Sequence, residues 1–203
     1  AIQEGADGLE IDVQMVYSTE REGRIPILYY DHTSSTVEEL RLSHADLLTL
    51  DEFVQISGVT NLKLLVDLKG IFLLRERYRG FLEQKFTSLS YSSFHLPLLT
   101  DLHGKQPGAQ LIKHLKGAEQ VLELRRLKRA GIHFVNLSLK DVHPDILKRI
   151  AAAGLEVQFG GDSSMLEPNK NLITSGTLIV DDVETSRDMV LAMSETRFMI
   201  QSD

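Results

Sequence analysis

The stretch Gly8-Leu9-Glu10-Ile11-Asp12-Val13 decides how the rest of the chain is interpreted. Its apolar and acidic residues alternate, which is typical of a β-strand, because successive side chains of a strand point to opposite faces. Glu10 and Asp12 therefore share one face. Two carboxylates between apolar neighbours are costly to bury without a cationic partner, and a hard divalent cation binds carboxylate oxygens well. The stretch predicts either a metal site or the solvated acidic face of an edge strand.

A second stretch, Leu64-Leu65-Val66-Asp67-Leu68-Lys69, shows the same alternation. Asp67 and Lys69 share a face, so this strand would add a third carboxylate and a fixed positive charge. Three carboxylates and a lysine at the ends of two apolar strands suit a metal site that binds a phosphate group. A surface ion pair is the alternative explanation for the second stretch.

The composition limits the class of protein. The chain has 203 residues, a formal net charge of −7 and no cysteine. The negative charge and the lack of a dominant basic stretch argue against nucleic-acid binding. No apolar run is long enough to span a bilayer. Without cysteine, disulfides and thiolate metal sites are excluded, which favours a cytoplasmic location but does not establish one.

The order of predicted elements indicates the architecture. A strand from residue 8 to 17 and a returning strand at 25–30 are joined by a turn too short for a parallel crossover, so they form an antiparallel hairpin. A helix at 50–56 follows. Further strands are predicted at 62–69, 86–92, 110–115, 133–139, 155–159 and 198–201, with a short extended piece at 177–180. Helices between them are predicted at 71–84, 96–103, 118–130, 144–153 and 184–194.

Strands that alternate with helices indicate a parallel sheet with right-handed crossovers. About seven barrel-type strands are counted, one fewer than a closed eight-stranded β/α barrel requires. Residues 1–5 look like the end of a helix, with Gly5 at its C-terminus. We therefore predict a single α/β domain over residues 1–203. It is a (β/α)8 TIM barrel whose first strand lies before Ala1, with a hairpin and small insertion at about 14–49. An open doubly wound sheet is the alternative, although no glycine-rich phosphate loop follows a strand.

Several motifs resemble the glycerophosphodiester phosphodiesterase family. Residues 5–14 resemble its Gly-Ala-Asp followed by Glu-x-Asp-Val, ahead of a hairpin that returns to a His-Asp pair. Val66-Asp67-Leu68-Lys69 resembles its Glu-x-Lys strand, and Ser92-Ser93-Phe94 its Ser-Phe strand end. Met199-Ile200-Gln201-Ser202-Asp203 resembles its terminal Ile-Thr-Asp. Each motif is short, but their order and spacing cover essentially the whole chain.

The resemblance implies an enzyme, a metal-dependent phosphodiesterase on a TIM barrel of the phospholipase-C-like type. Such enzymes cleave glycerophosphodiesters to glycerol 3-phosphate and an alcohol. Glu10, Asp12 and Asp67 would hold a divalent ion, Mg²⁺ or Ca²⁺, and Lys69 would contact the phosphate and take part in catalysis. The family usually has glutamate where Asp67 stands, which is longer by one methylene. Its nucleophile can be the substrate's own glycerol hydroxyl, with two histidines as general base and acid.

The catalytic histidines are where this chain departs from the family. The first belongs to a His-Arg-Gly triplet, which the chain lacks. The second should precede Asp31, where Tyr30 stands, and His32 follows one residue later. We take His32 as the catalytic candidate. This requires a bulged or looped hairpin end, because a slip of one residue along a strand turns the side chain to the opposite face.

Other polar residues fall at the predicted carboxyl ends of strands. His95 and Lys113 are candidate substrate-binding residues, although a solvated surface side chain is the simpler explanation for each. Only one of Lys113 and His114 can point inward. Asn136 and Ser138 are expected at the barrel mouth, and the Gly160-Gly161 pair stands where the family usually has tryptophan. No role is assigned to His44.

Two other functions are consistent with the sequence. One is a catalytically impaired barrel that binds a phosphodiester or a protein partner, to which Tyr30 and Asp67 point. The other is a related phospholipid-headgroup phosphodiesterase, with Ile71-Phe72-Leu73-Leu74 as an apolar loop at the barrel mouth. The expected small-molecule ligand is a glycerophosphodiester or a lipid headgroup. We expect no nucleic-acid partner and no transmembrane segment.

Overall fold

The computed structural model describes residues 6–29, 34–56, 61–116, 124–173, 176–180 and 198–202. The strands are β1 (Gly8–Ser18), β2 (Gly23–Leu28), β3 (Lys63–Leu68), β4 (Ser88–Ser93), β5 (Gln110–His114), β6 (Phe134–Ser138), β7 (Glu156–Gly160), β8 (Gly176–Val180) and β9 (Phe198–Ser202). The helices are α1 (Val37–Ser43), α2 (Leu50–Ile56), α3 (Glu76–Lys85), α4 (Leu96–Lys105), α5 (Leu124–Arg129), α6 (Pro144–Ala152) and α7 (Leu166–Asn169). Short 3-10 helices lie at Leu139–Asp141 and Ser163–Met165.

The strands form one curled, mixed sheet in the order β2-β1-β3-β4-β5-β6-β7-β8-β9. β2 pairs antiparallel with β1, which confirms the predicted hairpin. The other neighbours pair in parallel, and β1 also pairs in parallel with β9 at Gly8↔Gln201 and Leu9↔Ser202. Helices follow most of the parallel strands, so the predicted α/β fold is confirmed. The strand order is that of a β/α barrel.

The described sheet contains eight parallel strands, one more than the sequence indicated. The difference is at residues 177–180, which were expected to be only a short extended piece. They belong to β8, which pairs with both β7 and β9. The edge of β1 away from β3 is paired with β9 at its start and with β2 at its end. The expected strand before Ala1 lies outside the sequence and stays a prediction.

The predicted helix at 71–84 begins only at Glu76. Residues 70–75 are a loop in which Phe72, Leu73 and Leu74 are each half-buried and pack against the main core. Three consecutive residues of a helix would point about 100° apart from one another. An extended loop can instead lay all three on the same core, which explains the late helix start. Predicted helix 184–194 and residues 1–5 lie outside the described part of the chain.

The sheet has two different buried faces. The large core, with Leu64, Val66, Tyr91 and Leu99 among its members, lies between the sheet and the helices. A small separate cluster of Leu65, Ile112 and Ile179 lies on the opposite face, as the alternation along β3 requires. The same face carries the polar residues of the candidate site further along the strands. Among the described helices, none has the length and apolar character needed to cross a membrane.

Helix α1 lies within the insertion predicted at about 14–49, and it is tied to the β1–β2 hairpin. It begins with a capping box, in which Glu39 N–H donates to Thr36 Oγ1 (3.2 Å) and Thr36 N–H donates to Glu39 Oε2 (2.7 Å). Glu38 accepts hydrogen bonds from Ser18 Oγ (2.6 Å) and Thr19 N–H (3.0 Å) at the end of β1. These bonds fix the hairpin against the segment that carries His44.

The Glu38 bonds predict a pH-dependent part of the stability. The hydrogen bond from Ser18 contributes most to lowering the pKa of Glu38 from 4.5 to about 2. Because this folded-state pKa lies below the unfolded value, the stabilisation is complete above about pH 4.5 and is lost as the pH falls toward 2. We expect Glu38→Gln to flatten the pH dependence of the free energy of unfolding over that interval, measured by urea denaturation. Glu156→Gln, at an exposed carboxylate, is the matched control, and an equal flattening there would contradict the assignment.

Candidate active site

Strands β1 and β3 bring the two sequence motifs together. They pair in parallel with Asp12 opposite Asp67, so these two side chains lie on the same face at the same level. The backbone N–H of Lys69 donates to Val13 O (2.9 Å), which continues the pairing one step past β3. The backbone N–H of Tyr29 donates to Asp12 O (3.0 Å), so the end of the hairpin returns beside the acidic motif as predicted. The alternation rule therefore places the two motifs correctly.

Lys69 bridges two of the carboxylates. Its Nζ lies 2.7 Å from Asp67 Oδ2 and 2.9 Å from Asp12 Oδ1. The Asp67 side chain is only 1% exposed, and that of Lys69 19%. A buried carboxylate without a cation would be strongly destabilising, so the ammonium of Lys69 helps to keep Asp67 charged at this buried position.

Two further side chains hold the other oxygen of Asp67. Ser92 Oγ on β4 donates to Asp67 Oδ1 (2.9 Å), and His114 Nε2 on β5 lies 2.9 Å from the same oxygen. Since an ionised carboxylate only accepts hydrogen bonds, His114 donates from Nε2. The ring of His114 is stacked on Phe94, with the ring centroids 4.7 Å apart. Three neighbouring strands thus converge on one carboxylate.

The electrostatics follow from these contacts. Burial alone would raise the pKa of Asp67, but the hydrogen bond from His114 and the charge of Lys69 outweigh it and hold that pKa well below its usual range. Burial alone would lower the pKa of Lys69, and the charges of Asp67 and Asp12 instead raise it well above its usual value. At neutral pH the centre of the site therefore consists of charged groups.

The arrangement also offers donor atoms for a cation. One ligand atom each from Glu10, Asp67 and His114 lie within 4.8 Å of one another. Carboxylate oxygens suit hard divalent ions, and an imidazole nitrogen extends the choice to first-row transition metals. Of the ligand set expected from the sequence, Glu10 and Asp67 fall in this group. Asp12 lies beside it as the second partner of Lys69. The donor set fits a divalent metal ion.

These residues lie at one side of a cavity of about 830 Å³. The size is sufficient for a small ligand. Its wall includes the expected Asn136 and Ser138 together with Gly160 and Gly161, and apolar side chains such as Leu28, Leu47 and Phe94. A Cβ at Gly160 would lie 3.1 Å from Asn136 Oδ1, so a larger residue there would displace the amide. The strand ends thus supply both the charged centre and a neutral polar wall.

His44 is a cavity residue to which the sequence analysis assigned no role. It follows α1, and its Nε2 lies 2.9 Å from Tyr29 Oη, with the two ring centroids 5.2 Å apart. Both residues line the cavity, as does Asp46. Since His44 lies in a loop outside the strand pattern, no local signal in the sequence marks it. It stands close to the hairpin end where the resemblance implies a catalytic histidine.

His32, His95 and Lys113 are the remaining site residues that the sequence predicted. His32, with Tyr30 and Asp31, lies outside the described residues, so its catalytic role stays a prediction. His95 lies at the start of α4, where its backbone N–H donates to Ser93 Oγ (3.2 Å), and it is not among the described cavity-lining residues. Lys113 is buried on the other face of β5 from His114, and its Nζ donates to His114 O. Of the pair on β5, His114 is the residue that reaches the cavity. The structure does not bring His95 or Lys113 to the charged centre, and their substrate-binding roles stay predictions.

The charged cluster of Glu10, Asp67 and His114 with Lys69 lies toward the carboxyl ends of parallel strands in a curled α/β sheet. Solved structures with this fold are similar to the chain. A phosphodiesterase from Oleispira antarctica, in complex with the product sn-glycerol-3-phosphate, has a TM-score of 0.66 and 17% identity over 93% of this chain and 86% of that one. A glycerophosphodiester phosphodiesterase from Parabacteroides distasonis has a TM-score of 0.66 and 19% identity, covering 95% and 87% of the two chains.

A third similar structure is the glycerophosphodiester phosphodiesterase of Thermotoga maritima, with a TM-score of 0.61 and 20% identity over 94% of this chain and 87% of that one. The sequence matches no family model and no curated protein. The chain has the fold of the glycerophosphodiester phosphodiesterases, which confirms at the level of structure the resemblance predicted from its motifs.

Proposed function

We propose that the protein is a metal-dependent phosphodiesterase that cleaves glycerophosphodiesters to glycerol 3-phosphate and an alcohol. The observation that carries this proposal is the cluster of Glu10, Asp67 and His114 beside Lys69, at the wall of a cavity large enough for the substrate. The cluster stands at the carboxyl ends of parallel strands, where barrel enzymes carry their active sites. The fold and the product bound to the Oleispira antarctica structure support the substrate class.

We propose Glu10, Asp67 and His114 as metal ligands, with Asp12 at the edge of the site. When bound, the ion would polarise a phosphoryl oxygen and orient the nucleophile. A divalent ion here would compete with the proton that His114 Nε2 shares with Asp67. The two carboxylate ligands suit Mg²⁺ and Ca²⁺, and the imidazole ligand makes Mn²⁺ an equally suitable ion.

Lys69 is suited to hold the substrate's phosphate. Its ammonium has three N–H donors, of which Asp12 and Asp67 use two. The third is left for a phosphoryl oxygen, and Lys69 lines the cavity. Asp12 and Asp67 fix the position of the ammonium, so little side-chain entropy remains to be lost when the phosphate binds. Lys69 would also stabilise the negative charge that develops during displacement.

We propose His44 as one of the two proton carriers, with His32 retained as the predicted second. The contact between the Tyr29 hydroxyl and His44 Nε2 holds the imidazole ring in one orientation at the cavity wall. A histidine there can take the proton of the attacking hydroxyl or give one to the leaving alcohol.

Replacing His44 with glutamine should lower kcat by about 100-fold and change KM little, because a proton carrier acts mainly in the transition state. Steady-state kinetics with glycerophosphocholine would measure this. His133→Gln is the matched control, since His133 contacts Lys128 away from the cavity. Wild-type kcat in His44→Gln would remove His44 from the mechanism and leave the metal-site proposal standing.

The function itself is tested by incubating the protein with glycerophosphocholine, with and without EDTA, and measuring glycerol 3-phosphate. We expect release that EDTA stops and Mg²⁺, Ca²⁺ or Mn²⁺ restores. If the metal binds but no product forms, the barrel is a binding module, the alternative that Tyr30 suggested. Release of a phosphorylated headgroup in place of glycerol 3-phosphate would support the phospholipid-headgroup alternative.

A further inference from the structure

A second cavity, of about 420 Å³, lies outside the barrel wall beside the β1–β2 hairpin. The hairpin, helices α2 and α3, and the loop between β3 and α3 line it. That loop begins directly after Lys69, so the second cavity is at the same end of the sheet as the candidate active site. Among the described residues that line it, none is a proposed metal ligand, and His44 is not among them.

The charge of this cavity is strongly positive, although the whole protein carries −7. Its described lining contains four arginines and one carboxylate, which are Arg21, Arg24, Arg75, Arg77 and Asp51. The carboxylate is shared, since Asp51 Oδ2 lies 3.7 Å from Arg21 Nη1 and 3.5 Å from Arg77 Nη2. It also accepts a hydrogen bond from the hydroxyl of Tyr78 at 3.1 Å. One acid therefore offsets only a small part of the positive charge.

The other two arginines have no such partner within the described part of the chain. Across the described ranges, the guanidinium groups of Arg24 and Arg75 form no ion pair, and both side chains are exposed at the cavity. Every cation in the lining is an arginine and none is a lysine. Guanidinium groups present paired N–H donors that match the oxygens of a phosphate, and several around one cavity are typical of phosphate recognition.

The rest of the lining is apolar. Ile25 and Pro26 come from the hairpin, and Phe72 and Leu73 come from the loop after β3. Ile71, the first residue of that apolar run, is 76% exposed next to the cavity. A ligand that only carried phosphate oxygens would leave this surface in contact with water. Arginine side chains beside an apolar surface fit a ligand in which a phosphate group is attached to a hydrocarbon chain.

We propose that this cavity binds a phosphate group attached to an apolar tail, the chemistry of an anionic phospholipid. The site is separate from the proposed catalytic centre and does not depend on the activity assigned to it. Since both cavities open at the same end of the sheet, a bound lipid surface would lie on the side where substrate enters. The cavity is thus a second site, which binds lipid phosphate without cleaving it.

The test uses the full chain in EDTA, so that the metal site does not contribute. Binding of dihexanoyl phosphatidic acid and of inorganic phosphate is measured by calorimetry. Co-sedimentation is measured with vesicles of phosphatidylcholine alone and of phosphatidylcholine mixed with phosphatidic acid. The variant Arg24→Gln/Arg75→Gln removes the two unpaired charges. The control, Lys148→Gln/Arg149→Gln, removes the same charge from exposed positions on α6.

We expect the wild type to bind the short lipid and the mixed vesicles, with affinity that falls as salt is added. The Arg24/Arg75 variant should lose about tenfold or more in affinity, and the α6 control about twofold or less. Equal losses in the two variants, or no binding to either lipid form, would overturn the proposal. If inorganic phosphate binds as tightly as the short lipid, the apolar surface of the cavity has no role in binding and the proposal of an apolar tail is wrong. Circular dichroism and unchanged Mn²⁺ binding in a parallel titration without EDTA establish that the variants fold.

Discussion

Replacing Glu10 with glutamine should greatly weaken binding of a divalent ion while the protein stays folded. Glu10 is one of three described residues whose ligand atoms lie within 4.8 Å of one another, and of the two carboxylates among them it is the partly exposed one. Its neutral amide keeps the size of the side chain but removes the charge that a hard cation requires. We expect affinity for Mn²⁺, Mg²⁺ or Ca²⁺ to fall by about 100-fold or more. Isothermal titration of EDTA-stripped protein measures this directly.

The cavity itself offers a control for Glu10. Asp46 is an exposed carboxylate that lines the same cavity and lies outside the group of candidate ligands. Asp46→Asn changes the net charge by the same amount and should leave metal affinity within about twofold. If Glu10→Gln binds metal as the wild type does, or if Asp46→Asn loses as much, the ligand assignment is wrong.

Replacing Lys69 with methionine should destabilise the folded state by about 3 kcal/mol, because it leaves the buried carboxylate of Asp67 without its nearest cation. Two short contacts are lost together, at 2.7 Å to Asp67 and 2.9 Å to Asp12. Methionine preserves most of the aliphatic length, so packing changes little. The same variant should lose turnover, since the proposed phosphate contact is removed with the charge. Urea unfolding at pH 7 in EDTA measures the stability without a contribution from metal.

An exposed ion pair on α4 provides the control for the stability of the Lys69 variant. Lys105 Nζ lies 2.9 Å from Asp101 Oδ2 on α4, and both side chains are more than half exposed. Such pairs contribute about 0.5 kcal/mol or less, so Lys105→Met should hardly change the free energy of unfolding. If Lys69→Met is as stable as Lys105→Met, Lys69 does not hold Asp67 in its charged form.

The central part of the site was accessible from the sequence because it depends on strand geometry alone. Alternation puts Glu10 and Asp12 on one face of β1, and Asp67 and Lys69 on one face of their strand. Parallel neighbours then bring those faces together, and the structure pairs Asp12 with Asp67. The antiparallel hairpin followed in the same way from the length of one turn.

The two histidines depend on contacts far apart in the sequence. His114 is 47 residues from Asp67, and periodicity could not decide whether it or Lys113 faces the cavity. His44 reaches its position through the packing of the segment after the hairpin, with Tyr29 as its partner. Neither arrangement follows from a local pattern of residue types.

The helix predicted over the apolar run that begins at Ile71 was wrong for a different reason. Hydrophobic residues in succession are compatible with a buried helix and with an extended loop packed on a core. The sequence does not distinguish these until the position of the neighbouring strands is known. The loop conformation is what places Phe72 and Leu73 at the arginine-lined cavity.

The most direct test of the central claim follows the conversion of glycerophosphocholine by phosphorus NMR, using EDTA-stripped wild type and Glu10→Gln side by side. Metal is added back in steps to each. We expect glycerol 3-phosphate to appear in the wild type as the metal site fills, and the variant to stay inactive at the same metal concentrations. Product formation by the stripped wild type, or equal recovery in Glu10→Gln, would contradict a metal-dependent site built on Glu10.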